Sequence, residues 1–204
     1  MSASQARCPF CQRGAIEPQL IFESAAFLVA ADLHPLTEGH LLLIPREHVP
    51  CFGALPVRLE PEFTWLKDQL ESFLSSRYGA PSFLEHGVAG QTVPHAHLHA
   101  VPSLPDLIPI IGVGRFAQSA TSPHEVRAWF EARGPYLYHQ RAGKCLLFEP
   151  GQVPAGYLET VAADMLPRRE QSLDGRVLAD RVRVQWQKHL LVSPSSRSIQ
   201  SPAS

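Results

Sequence analysis

The chain has 204 residues, 45% of them apolar and 18% charged, with a formal net charge of −1. That balance excludes a disordered chain and leaves no basic field to draw in DNA or RNA, while a small anionic ligand stays compatible with it. No apolar run approaches the ~20 residues of a membrane helix, and Met1–Cys8 lacks the apolar core of a signal peptide. The expectation is a cytoplasmic protein with no membrane or nucleic-acid partner, built as one domain with an added segment.

In chain order, Gln19–Glu23 and Phe27–Ala31 are short apolar runs split by a polar turn, which predicts a hairpin. Asp32–Gly39 is a loop of turn formers, and His40–Ile44 is a third strand closed by Pro45. Phe63, Leu66, Leu70, Phe73 and Leu74 recur at helical spacing between Glu60 and Arg77, leaving Lys67, Asp68 and Glu71 outward. Ser82–Glu85 reads as a fourth strand, 86–92 as a loop, and His95–Val101 as a fifth strand between Pro94 and Pro102.

Beyond residue 105 the pattern weakens. Ser122-Pro-His-Glu125 predicts a capped helix start. Tyr136–His139 and Cys145–Phe148 predict a hairpin across Ala142-Gly143, and Tyr157–Leu166 and Arg176–Leu191 predict two helices, with Trp129 and Trp186 as core residues. Ser193–Ser204 is poor in apolar residues and is expected to be disordered. The resulting fold class is α+β: an antiparallel sheet of about five strands, a packed helix and a C-terminal α/β extension. The divisions are a catalytic core over 1–105, the extension packed on it over 106–192, and the tail over 193–204.

His95, His97 and His99 stand at alternate positions of the fifth strand, so all three imidazoles project from one face. Ala96, Leu98 and Ala100 take the other face and can pack against a helix. A row of structural histidines or a metal site is the competing reading. Imidazole is both a nucleophile and an acid or base near neutral pH. One neutral ring can attack phosphorus while its other nitrogen donates to a fixed acceptor, and water then cleaves the phosphohistidine. His34, His124, His139 and His189 carry no spacing signal and are expected to be solvated or locally bonded. Of the four cysteines, Cys8 and Cys11 form a Cys-x-x-Cys pair, which suits either a metal or redox chemistry.

The run Gly90-Gln-Thr-Val-Pro-His-Ala-His-Leu-His-Ala-Val101 resembles the His-φ-His-φ-His-φ-φ pattern of the histidine-triad (HIT) superfamily, where φ is apolar. Asp32-Leu-His-Pro-Leu-Thr-Glu-Gly-His-Leu-Leu-Leu-Ile-Pro-Arg-Glu-His-Val49 resembles that family's Asp-x-x-Pro-x-x-x-Gly-His segment. Cys8-Pro-Phe-Cys11 resembles the opening of its zinc-containing, hydrolase-like branch. The resemblance covers residues 8 to 102.

The resemblance implies a nucleotide hydrolase that cleaves the α-phosphate linkage of a nucleoside 5′-phosphate derivative, a dinucleoside polyphosphate or a nucleotide conjugate. His97 would be the nucleophile, His99 would contact the phosphate and assist the leaving group, and His40 would orient the triad. Asp32 would accept from the ribose hydroxyls, Leu33 would line the base pocket, and Gln91 and Thr92 would hold phosphate oxygens. For His40 and Asp32, a strand-start cap and a turn aspartate are the competing readings. Cys8, Cys11, His48 and His95 would hold a structural zinc. A homodimer is common in the family. A nucleotidyl transferase and a nucleotide-binding regulatory module are the alternatives. The third histidine, His99, favours hydrolysis, because transferring branches carry glutamine there.

Glu85-His86 departs from the pattern, which has Asn or Gln where Glu85 aligns. A carboxylate there would repel phosphate unless it is protonated, paired or pointed elsewhere, and His86 would replace the missing donor.

Overall fold

A computed structural model describes residues 5–166 and 174–192; the tail over 193–204 lies outside the described residues. The elements begin with helix α1 (Arg13–Ile16), strands β1 (Leu20–Glu23), β2 (Phe27–Ala31) and β3 (Leu41–Pro45), and helix α2 (Glu60–Arg77). Strands β4 (Pro81–Glu85) and β5 (Leu98–Pro102), helix α3 (Ile108–Ile111), strand β6 (Ala117–Ser119) and helix α4 (Pro123–Arg133) follow. The last are strands β7 (Leu137–Arg141) and β8 (Lys144–Phe148) and helices α5 (Tyr157–Asp164) and α6 (Gly175–Val192). The strands form one antiparallel sheet in the order β1-β2-β3-β5-β4-β7-β8-β6.

The α+β class is as expected, but the sheet has eight strands rather than about five. The hairpin β7–β8 docks on β4, and β6 adds at the edge. A hairpin can be read from its own residues, whereas its docking partner is set elsewhere in the chain. The third added strand, β6, is three exposed residues with no apolar alternation to announce it.

Strands β2 and β3 are buried at every position because the sheet is covered on both faces. Phe27, Val29, Leu41, Leu43, Phe83, Leu98 and Ala100 face a core shared with α2 and α6. The expected apolar stripe of α2 is buried in it, and acidic residues open that helix while Arg77 closes it, complementing its dipole. On α6, Trp186 packs against Phe22 and Phe73, and Arg183 donates to the Leu20 carbonyl of β1. Trp129 is buried on α4, which starts in a capping box of Ser122 with Glu125.

The opposite face carries two smaller cores. Leu28, Ala30, Leu42 and Ile44 pack with Ile16 of α1; Leu84, Val101 and Leu137 pack with Leu158 and Ala162 of α5. On β5, His99 lies opposite Leu42 on one neighbour and Leu84 on the other, so it falls between these two cores.

Two expectations need correction. The triad strand starts at Leu98 rather than His95, because the Ala96 amide donates to the Val49 carbonyl instead of a sheet ladder. The side alternation persists upstream all the same, with Ala96 in the α2 core beside Leu98 and Ala100. His139 is fully buried with neither ring nitrogen hydrogen-bonded, since β7 became an inner strand, and burial lowers its pKa to about 4. Among the described residues, no helix is long and apolar enough to cross a membrane.

Glu85 ends β4 on the α2 side of the sheet. Its carboxylate accepts from the Phe52 amide at 2.8 Å and the Tyr136 hydroxyl at 2.6 Å, and that hydroxyl accepts from the Gly53 amide at 2.9 Å. Gly87 has a φ of +50°, and a Cβ there would fall 2.5 Å from the Tyr136 ring, so only glycine lets the ring lie against this turn. Burial raises the Glu85 pKa to about 7, although the two hydrogen bonds pull it down. The folded value lies above the ordinary 4.5, so the native state holds this proton more tightly. The stability it contributes is complete below pH 4.5 and is lost as pH rises through 7. Urea unfolding of the wild type and Glu85→Gln at pH 4.5 and pH 8 should show their gap shifting by about 3 kcal/mol in favour of the variant at high pH. A pH-independent gap would contradict this account.

Candidate active site

The imidazole tautomers at the triad can be assigned from the groups they face, since a carbonyl only accepts and an amide only donates. His97 Nδ1 donates to the His95 carbonyl at 2.6 Å, which leaves the Nε2 lone pair free. His40 Nδ1 accepts from the Leu36 amide at 3.1 Å, so its Nε2 carries the hydrogen and donates to His99 Nδ1 at 3.0 Å. His99 therefore carries its own hydrogen on Nε2. The His97 and His99 ring centroids are 5.0 Å apart.

These side chains are nearly out of water, with 4% of His97, 3% of His99 and 1% of His40 exposed. Burial holds His97 and His40 below the usual imidazole range, against the charge of Asp32, and His99 well below it, where the neighbouring histidines add to the shift. The rings are neutral near pH 7, as a nitrogen nucleophile must be. Phe10 covers the upstream end, edge-on to His95 and to His97.

Asp32 lies 3.6 Å from His99 and 3.7 Å from His40 through Oδ2, and its Oδ1 accepts from the His34 amide at 2.8 Å. Leu33 is exposed beside it, and the Gly175 amide at the start of α6 donates to the Leu33 carbonyl. A Cβ on Gly175 would meet the Asp32 carbonyl oxygen at 1.8 Å, so glycine permits this close approach. The Gln91 side chain donates to the Pro50 carbonyl at 2.7 Å, and Thr92 is exposed. The structure thus gathers His40, His97, His99 and Asp32 into one cluster, while Gln91 and Thr92 stand in the loop beside it.

Glu85 points to the other face of the sheet, away from the histidines, whereas His86 lies on theirs. His86 Nε2 accepts from the Leu158 amide at 3.1 Å, and burial lowers its pKa to about 4. The residue that sequence reading missed is Glu159, in the first turn of α5. Its Oε1 is 3.3 Å from His99 Nε2 and its Oε2 is 3.2 Å from His86 Nε2. A glutamate on an amphipathic helix reads as a solvated charge, and no spacing links it to the triad.

Upstream of His97, single donor atoms of Cys8, Cys11, His48 and His95 all lie within 4.8 Å of one another. Cys8 Sγ is 3.3 Å from His95 Nδ1, and Cys11 Sγ is 3.3 Å from His48 Nδ1 and 3.5 Å from His95 Nδ1. A tetrahedral zinc with sulfur and nitrogen ligands has S···N edges of about 3.5 Å, so this set fits the ion. His95 Nε2 donates to the Pro45 carbonyl at 2.8 Å, which turns the Nδ1 lone pair towards the sulfurs. Cys51 is buried beside Glu85 and Tyr136 instead.

A family model described as the HIT domain matches residues 13–105. A HIT-like protein of Mycoplasma genitalium is 32% identical over 102 residues, which cover 47% of this chain and 72% of that protein. The bifunctional bis(5′-adenosyl)-triphosphatase/adenylylsulfatase of Arabidopsis thaliana is 34% identical over 93 residues, 43% of this chain. This chain spans only 51% of that protein's length. A solved structure of a Zn-bound histidine triad family protein from Mycobacterium smegmatis is 25% identical and aligns over 48% of this chain and 76% of that one, with a TM-score of 0.41. The family match ends at residue 105 and leaves α5 with Glu159 outside it. On the matched domain and the relative covered over most of its length, the chain belongs to the histidine-triad (HIT) family.

Proposed function

We propose that the chain is a nucleotide hydrolase in which His97 Nε2 attacks the α-phosphorus of a nucleoside 5′-phosphate derivative. The observation that carries this reading is the 2.6 Å bond from His97 Nδ1 to the His95 carbonyl, which fixes a neutral ring with its lone pair unspent. The Arabidopsis relative, a bis(5′-adenosyl)-triphosphatase and adenylylsulfatase, supports the same class of chemistry. In the first step the His97 nitrogen bonds phosphorus and the leaving group departs with the old bond's electron pair. In the second, water bonds phosphorus, loses a proton and returns the pair to His97. The hydrogen-bonded line from the Leu36 amide through His40 to His99 keeps the hydrogen on His99 Nε2, where it would donate to a phosphate oxygen. Residues 1–105 form the catalytic core in this reading, and 106–192 close the leaving-group side.

An α-phosphate-labelled diadenosine polyphosphate, quenched by denaturation during turnover, should leave acid-labile, base-stable label on His97. His97→Ala should lower turnover by about 10³-fold or more while the protein stays folded. Label on any other residue, or near-normal turnover in the variant, would defeat the mechanism.

Asp32 reads the ribose: its carboxylate sits beside His99 with lone pairs to spare. Asp32→Ala should shrink the preference for ribo- over deoxyribonucleotide by about tenfold, a lost buried hydroxyl contact being worth roughly that much. An unchanged ratio of kcat/KM values assigns the ribose elsewhere.

Cys8, Cys11, His48 and His95 hold a zinc that ties the N-terminal segment to the residues entering β5. With four protein ligands the ion supplies structure rather than an activated water. Elemental analysis of protein purified without added metal should find one zinc per chain. Cys8→Ser should lose the ion and about 3 kcal/mol of stability, or about 6–12 °C in Tm, a larger loss than that in kcat. Metal-free protein with unaltered melting would remove the zinc from this site.

A further inference from the structure

We propose that Glu159 is a catalytic residue of this chain, giving its carboxyl proton to the leaving group and taking one from water in the second step. This rests on the nucleotide-hydrolase reading above and names a participant from outside the family domain. Helix α5 is anchored by Leu158 and Ala162 in the core beside β4 and β5. Gly156, in a left-handed conformation at the helix start, donates its amide to the Gly90 carbonyl at 2.9 Å. That anchoring delivers the Glu159 carboxyl 3.3 Å from His99 Nε2, and His99 flanks the nucleophile. The Glu159 Oε2 atom is buried and, among the described residues, has no hydrogen-bond partner. A buried polar atom left free beside a reactive ring is poised for a substrate atom.

His99, whose Nε2 lies nearest the carboxyl, is neutral. A neutral imidazole N–H can donate a hydrogen bond but has no proton to release near pH 7. A protonated carboxyl has one. Three groups face Glu159 from the elements around it: His86 from the end of β4, His99 from β5 and Asp32 from the β2–β3 loop. Burial, with the charge of Asp32 adding to it, raises the Glu159 pKa to about 7. Both histidines are uncharged and do not oppose that shift. His86, His99 and Glu159 also lie close enough to suggest a metal trap. The His86 Nε2 lone pair, however, is occupied by the Leu158 amide, so proton chemistry fits the group better.

The balance closes over one cycle. As His97 Nε2 bonds phosphorus, the P–X bond breaks with its electrons on X, and the Glu159 proton moves to X, which leaves as HX. Water then bonds phosphorus as its proton returns to Glu159, and the P–N bond electrons return to His97. The sum is one water consumed, with nucleoside monophosphate and HX released.

The test compares two adenosine 5′-phosphodiesters, the 4-nitrophenyl ester, whose leaving group needs no proton, and the phenyl ester, which needs one. In the wild type, release of phenol should fall as pH rises through about 7, while the burst of 4-nitrophenolate should not. In Glu159→Gln the phenol burst should slow by about 10²–10⁴-fold and lose that pH limb. The 4-nitrophenolate burst should persist, followed by a slow steady state as nucleotidyl-His97 accumulates. Equal slowing of both bursts, no slowing, or a surviving pH limb would overturn the role of Glu159 while leaving His97 labelling intact. A wild type that cleaves neither ester overturns the hydrolase reading and this role with it. If circular dichroism shows Glu159→Gln unfolded, Glu159→Asp decides: it should keep the limb at an intermediate rate, and loss of the limb overturns the assignment.

Discussion

The arrangement at the triad depends on one register. His99 faces Leu42 across one ladder and Leu84 across the other, which pins the β5 side-chain period between two neighbours. A slip of one residue would send His99 into the α2 core and bring Leu98 or Ala100 to the opposite face. The register is held because Leu98 and Ala100 are buried against α2, so the apolar alternation fixes the histidine face without any contact made by the histidines themselves. Upstream, the ladder gives way to the Ala96–Val49 bond, yet the same alternation carries His97 and His95 to the reactive side.

Much of this was legible because it is local. Strands β2 and β3 are apolar at every position, α2 carries its buried stripe at helical spacing, and Ser122 with Glu125 announces the start of α4. The histidine pattern was visible for the same reason: alternation in sequence is alternation in space. What escaped is tertiary. Nothing in Tyr136–His139 says that it will lie against β4, so the burial of His139 and the growth of the sheet could not be read. Glu85 and Glu159 show the limit more sharply. Both are glutamates with pKa values raised to about 7 by burial, one turned from the site and one turned into it, and only the placement of β4 and α5 separates them.

The electrostatics of the site are unusual for a pocket assigned to a phosphate. Among the described residues, the close contacts of Asp32 and Glu159 with basic side chains are to neutral histidines alone, and no lysine or arginine shares them. Neutral N–H groups must then do the work that cations do elsewhere, which they can in a dry pocket where the effective dielectric is low. The cost is sensitivity to any extra negative charge. On the proposed mechanism, a carboxylate at Glu159 would weaken phosphate binding, so its protonated form would serve substrate capture as well as the leaving group.

The segments on either side of the matched domain divide the remaining tasks. Before it, Cys8 and Cys11 lie beside His95, and Phe10 between them stands edge-on to His95 and His97. After it, α5 sets a titratable carboxyl against His99 and spends a backbone amide of its first turn on His86. On the proposed mechanism, the reactive rings come from the matched domain and the leaving group's proton from the segment after it. On the same mechanism, a chain that kept the triad and changed α5 would keep the free His97 lone pair, because that tautomer is set by the His95 carbonyl. It would change which leaving groups can depart, since that choice depends on a proton the shared domain does not hold.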